Sequence, residues 1–142
     1  IKGTPTDNDA DAGHYGEFLE DANFTVPLTT ATTANIADIT LTPGDWDVTG
    51  SVVFLPENTT VTVQAAVSIS TTSATHDFTI GGYAYTINDG TGITGSTLFG
   101  GHTVGPRRFS INANTTVYLT ALAAFSGGDM DASGTIRARR VR

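Results

Sequence analysis

Apolar and polar side chains alternate along Ile39-Thr-Leu-Thr-Pro-Gly-Asp-Trp-Asp-Val-Thr-Gly-Ser-Val-Val-Phe54 with a period of two residues. That spacing buries one face of an extended strand and no face of a helix. Ile39 and Leu41 alternate with Thr40 and Thr42 until Pro43-Gly44 breaks the run. Proline cannot donate to a ladder and glycine tolerates positive φ, so the break reads as a turn between two strands. Trp46, Val48, Val52 and Phe54 then share one face, opposite Asp45, Asp47, Thr49 and Ser51. Trp46 is the single tryptophan, and its apolar neighbours make it a core anchor rather than a ligand platform.

The same period recurs along the chain and dictates the fold class. Residues 15–19 and 23–28 read as the first strands, with Phe24, Val26 and Leu28 on one face of the second. Residues 60–70 give the cleanest alternation, Val61, Val63, Ala65, Val67 and Ile69 against threonine, glutamine, alanine and serine. Short strands are expected at 77–80, 83–87 and 107–111, and longer ones at 115–125 and 134–142. Turn signals fall every 8–12 residues, and no stretch shows helical spacing. Such a layout predicts an all-β, antiparallel β-sandwich of jelly-roll type, one domain over residues 1–142. Residues 1–14 read as an extended entry segment. A length of 142 residues is enough to bury roughly 70% of the unfolded surface.

Charged residues make up 15% of the chain, against about 25% in an average domain, and threonine, serine and glycine take their place. The net charge of −7 is laid out unevenly. Acidic residues crowd the start, from Asp7 to Asp21, and every arginine lies at Arg107 or beyond. The basic end, Arg137 to Arg142, continues a strand pattern in an acidic protein that repels phosphate. It therefore reads as a strand seeking acidic partners rather than as a nucleic-acid arm, and at least one of its arginines is expected to pair with Glu17, Glu20, Asp45 or Asp47. No run of about 18 apolar residues is present for membrane insertion by a helix, and there is no cysteine for a disulfide or thiolate site. The chain begins at Ile1, which suggests a piece of something longer.

Chemistry-bearing motifs are few. His14, His76 and His102 are far apart in sequence, and no nucleophile-elbow or phosphate-loop motif occurs. Asp45 and Asp47 share a strand face, which brings them near each other as a glycan-cleaving pair requires, but carboxylates on an exposed strand face are far more often solvated or paired with arginine. Asp7-Asn-Asp-Ala-Asp11 has oxygen-ligand spacing, yet Ala12 and Phe18 stand where a calcium loop needs glycine and glutamate. No catalytic residue, metal or cofactor is assigned. Residues 75–105 are punctuated by glycine, nearly uncharged and carry His76, Tyr83, Tyr85, Phe99 and His102. Loops on a rigid scaffold commonly bind ligands, and an aromatic ring offers a sugar an apolar face with a polar tip. These five are the candidate receptor-binding residues; folding back as a satellite core is the alternative. The strand 115–125 is apolar on both faces, so Tyr118, Leu122 and Ala124, with Arg137 and Arg139, are the candidate subunit contacts.

Five phrases carry a family resemblance: Gly3-Thr-Pro-Thr-Asp-Asn-Asp-Ala-Asp-Ala-Gly-His-Tyr-Gly-Glu17, Ile39-Thr-Leu-Thr-Pro-Gly-Asp-Trp-Asp-Val48, Ser68-Ile-Ser-Thr-Thr-Ser-Ala-Thr75, Thr115-Thr-Val-Tyr-Leu119 and Gly134-Thr-Ile-Arg-Ala-Arg-Arg-Val-Arg142. Together, in this order, the chain resembles the C-terminal head domain of tail-fibre and related virion proteins of tailed bacteriophages. The resemblance implies a homotrimeric, non-enzymatic head on the virion surface that attaches to a bacterial surface receptor, a polysaccharide among the candidates. It implies contacts with other virion proteins, and brings no catalytic residues. A structural virion protein that decorates a capsid or caps a fibre is the alternative, and a glycan depolymerase a third. The entry segment departs from the pattern, with aspartates where relatives show alanine or asparagine.

Overall fold

The computed structural model describes residues 10–57, 60–87, 93–94 and 99–142. The start of the entry segment, including Asp7 and Asp9, lies outside the described residues, as do the side chains of Ile87 and Phe99. The described residues form nine strands and no helix: β1 (Phe18–Pro27), β2 (Ala34–Leu41), β3 (Gly44–Pro56), β4 (Val61–Ser70), β5 (Tyr83–Ile87), β6 (Ile93–Thr94), β7 (Phe99–Ile111), β8 (Thr115–Ser126) and β9 (Met130–Arg140).

Their pairing is nested. β1 runs antiparallel to β9, β2 to β8, β3 to β7, and β4 to β5 and β6. The chain is thus one long antiparallel ribbon, doubled back after β4. The ribbon is then rolled so that β9 also pairs with β3 and β8 with β4. Two sheets result, β1-β9-β3-β7 and β2-β8-β4-β5, with β6 beside β4. This is the jelly roll expected from the strand pattern.

The core lies between the sheets. Trp46, Val48, Val52 and Phe54 of β3 are fully buried, facing Ala65, Val67 and Ile69 of β4 and Val117, Leu119 and Ala121 of β8. The core role of Trp46 follows, and its indole N–H is satisfied by the Thr42 carbonyl at 2.9 Å. Fully burying a side chain such as Phe54 stabilises by about 1.5–3 kcal/mol.

Four expectations change. Val61 and Val63 do not share the core face of Ala65, Val67 and Ile69, because the ladder slips between Thr62 and Gln64 and buries Thr62 instead. The two first strands are one, β1, whose alternation is broken by a register shift between Asn23 and Val26. Residues 77–80 form no strand. The glycine-punctuated region is not one loop: it contains β5, β6 and the start of β7, because β7 continues through Gly100, Gly101 and Gly105.

Candidate functional site

The connection from β4 to β5, residues 71–82, does not hang free. It lies as a strap across the outer face of the β2-β8-β4-β5 sheet. Asn35 of β2 holds its far side, donating to the Ser73 hydroxyl and accepting from the Ala74 amide, each at 2.7 Å. The near side is held where the Asp77 amide donates to Ser68 Oγ of β4 at 3.0 Å. Ser68 in turn bonds Thr120 of β8 at 2.7 Å, so the buried hydroxyls beneath the strap satisfy one another.

A latch closes the strap onto the other sheet. Arg107 of β7 reaches over the open edge of the sandwich, donating to the Ile69 carbonyl at 2.5 Å and to Asp77 at 2.6 Å. It also lies 4.9 Å from the Phe109 ring. Gly82 leaves room for it, since a Cβ there would lie 2.8 Å from the Arg107 side chain. Burial alone would raise the Asp77 carboxyl. The Thr79 hydroxyl and amide and the Arg107 guanidinium outweigh it and hold the carboxyl at about 2.

The strap carries an aromatic cluster to the edge of the sheet. His76 meets Phe78 edge-on at 4.6 Å, and Tyr83 lies 5.8 Å from Phe78 and 6.4 Å from His76. Tyr85 continues along the same face of β5, since residues two apart on a strand point the same way. Phe78 is 67% exposed, Ile80 93%, Tyr83 39% and Tyr85 42%, an apolar shelf open to solvent. Tyr85 and Leu122 flank Ala66 on one rung, and Ala124 follows on the next.

Tyr83, Tyr85 and His76 therefore come together as candidate receptor residues, but two partners expected with them do not. His102 faces into the sandwich, edge-on to Phe54 at 5.5 Å and bonded to Thr86 at 2.7 Å, because its register partner is the buried Val52. Phe99 opens β7, with its side chain outside the described residues. Phe78 and Ile80 were missed. The alternation of Phe78 and Ile80 with Asp77 and Thr79 was the available signal, and it was read as a short strand.

The expected subunit contacts divide. Leu122 and Ala124 sit beside the shelf, whereas Tyr118 lies on the far side of the strap, opposite Ser70 and Asp38. Arg137 and Arg139 project from the other sheet. Arg137 pairs with Glu20 across β1, and both side chains are largely exposed, a pair worth under about 1 kcal/mol. Arg140 points the opposite way and is buried against Glu17 at 2.8 Å. Two of the expected arginine–carboxylate pairs thus form. Asp45 binds Arg108 at 3.0 Å, leaving it as an ion-pair partner on an open sheet face.

His76 has an unusual setting. Both ring nitrogens are buried, and neither has a hydrogen-bond partner. Burial lowers its pKa below the ordinary 6.5, and the Asp77 charge offsets only part of that. A group lowered on folding contributes stability above its unfolded value and loses it as pH falls. His76 should therefore weaken the protein as pH drops below 6.5, and Asp77 should do so from 3.8 towards 2. We expect the melting temperature to fall between pH 7.5 and 5, with His76→Phe flattening that step. An unchanged slope in His76→Phe would show that His76 does not carry it.

No protein-family model matches the sequence, and no curated protein matches it. Among solved structures, a chain in the structure of infectious bursal disease virus, Gx strain, is similar at 15% identity with a TM-score of 0.36. The similarity covers 87% of this chain and 29% of that one, so this chain spans under a third of the viral chain's length.

Proposed function

We propose that the domain is the head of a bacteriophage fibre, a non-enzymatic, homotrimeric module on the virion surface that binds a bacterial surface glycan. The observation that carries the binding role is the open shelf of Phe78, Tyr83 and Tyr85, fixed on a jelly roll by the Asn35 and Arg107 anchors. A sugar ring laid on these faces gains apolar contact, while the tyrosine hydroxyls and strap backbone orient its hydroxyls. The scaffold meets the ordering cost before binding, so little is lost on contact.

Purified domain should bind host cells saturably, and soluble surface polysaccharide from the same host should compete. The polysaccharide should keep its chain length during incubation. Shortening would move the protein to the depolymerase class, and absence of competition would remove the glycan.

A structural head that binds no receptor is the second reading, favoured by Leu122 and Ala124 lying beside Tyr85 on the same face. Under it, copies of the chain pack there and bury the shelf. Leu122→Arg separates the two. If the shelf binds glycan, assembly persists and cell binding falls; if copies meet there, sedimentation shows the assembly dissociating.

A further inference from the structure

We infer that the outer face of the other sheet carries a second ligand site, a hydroxyl-lined cradle for one acidic sugar residue. Thr135 of β9, Ser51 of β3 and Thr103 of β7 stand side by side on one rung. On the next rung Arg137 stands beside Thr49, and there the ladder slips: Gly105 and Pro106 of β7 together oppose Thr49, between the pairs Val48–Arg107 and Gly50–Val104. Such a bulge bends one strand away from its neighbour and opens the surface. Gly105 makes it possible, with φ of +97° and a missing Cβ that would lie 2.5 Å from the Val48 carbonyl oxygen. The result is a depression of about 240 Å³ lined by Thr49, Ser51, Thr103, Gly105, Thr135 and Arg137. Drug-sized ligands fill roughly 300–1,000 Å³, so this space suits a single ring.

The chemistry of the lining selects the ligand class. Among the described residues, no hydrogen bond engages the hydroxyls of Thr49, Ser51, Thr103 or Thr135, and each can both donate and accept. Vicinal sugar hydroxyls have the same dual character. Arg137 gives only its Nε to Glu20, so its two terminal amino groups remain available at the rim. They accept nothing and form their strongest bonds with a carboxylate. A sugar acid supplies both parts, a ring of hydroxyls and one carboxylate. The cradle and the aromatic shelf belong to different sheets, so this site does not depend on the shelf binding anything.

The test is an amide NMR titration of the whole domain with glucuronate and, separately, glucose. Glucuronate at about millimolar levels should shift the amides of Thr49, Ser51, Thr103 and Thr135, as expected for a single weakly held sugar. Glucose should bind at least about tenfold more weakly, one charge-assisted contact being worth that much. Arg137→Gln breaks only an exposed pair and should remove the preference for the acid while leaving the spectrum folded. Thr135→Val should weaken both sugars together. Shifts confined to Tyr83 and Tyr85 would locate sugar binding at the shelf alone and overturn the cradle. So would equal affinity for glucose, or no shift at any sugar concentration.

Discussion

Arg140→Ala should lower the melting temperature by roughly 10 °C, a larger loss than any exposed ion pair in the protein can produce. Arg140 is 4% exposed, and each of its three guanidinium nitrogens donates a hydrogen bond. Nε donates to Glu17 at 2.8 Å, Nη1 to the Pro43 carbonyl at 2.8 Å and Nη2 to the Thr42 hydroxyl. Its plane lies over Trp46 at 4.3 Å. One side chain thus ties β9, the segment before β1 and the β2–β3 turn together. Gly44 yields the space, since a Cβ there would lie 1.9 Å from Nη1.

Removing Arg140 leaves Glu17 buried with one Gly13 amide at 2.7 Å and without its ion-pair partner. Breaking a buried pair from one side costs about 3–5 kcal/mol, and a protein of this size loses roughly 2–4 °C per kcal/mol. Arg140→Lys should recover little, because a point charge cannot serve three acceptors and stack on an indole. Glu17→Gln in the Arg140→Ala background should restore part of the loss by removing the stranded charge. Burial raises the Glu17 carboxyl, but the Gly13 amide and Arg140 outweigh it and hold it below its ordinary value. Its contribution is therefore present above pH 4.5 and lost as pH falls further. Calorimetry showing a change under about 3 °C would mean that water screens the pair.

The sequence made the sheets readable wherever one face is buried and the ladder is unbroken. β3 could be read residue by residue because Trp46 to Phe54 keep strict parity with the core, whereas in β4 the reading holds only from Ala65 onward, past the slip between Thr62 and Gln64. β1 was split because the slip between Asn23 and Val26 inverts that parity. The first half of β7, up to Gly105, was taken for loop because Gly100, Gly101 and Gly105 weaken any strand signal, and only residues 107–111 were read as strand. Yet glycine is what its bulge requires. The site was half legible for the same reasons. Tyr83 and Tyr85 are two apart on one strand, so their shared face follows from local geometry. The covering of that sheet by the strap does not, since it depends on Asn35 meeting Ala74, 39 residues away. Nor could parity be carried from β5 to β7, and that is why His102 was grouped with rings from which the sandwich separates it.

If the head is a trimer that binds glycan as proposed, replacing Tyr83 and Tyr85 together by alanine should reduce attachment to host cells about a thousandfold. Covering about 30 Å² of each ring is worth about 0.7 kcal/mol at roughly 25 cal/mol per Å², so losing two weakens one site by roughly tenfold. Three linked sites on a repeating polysaccharide multiply their losses, because every later contact is intramolecular. The free sugar, which engages one site at a time, should therefore show only the tenfold change. Tyr85→Ala is the cleaner single variant. Tyr83 packs on His76 and Phe78 and helps hold the strap, whereas Tyr85 is 42% exposed beyond that cluster. Its removal should leave the melting temperature within a few degrees, as for an ordinary surface change. Cell attachment and monovalent affinity falling by the same factor would mean that the sites do not act together. Full attachment by the double variant would place receptor recognition away from this sheet, with the cradle around Thr49, Ser51 and Arg137 as the next surface to test.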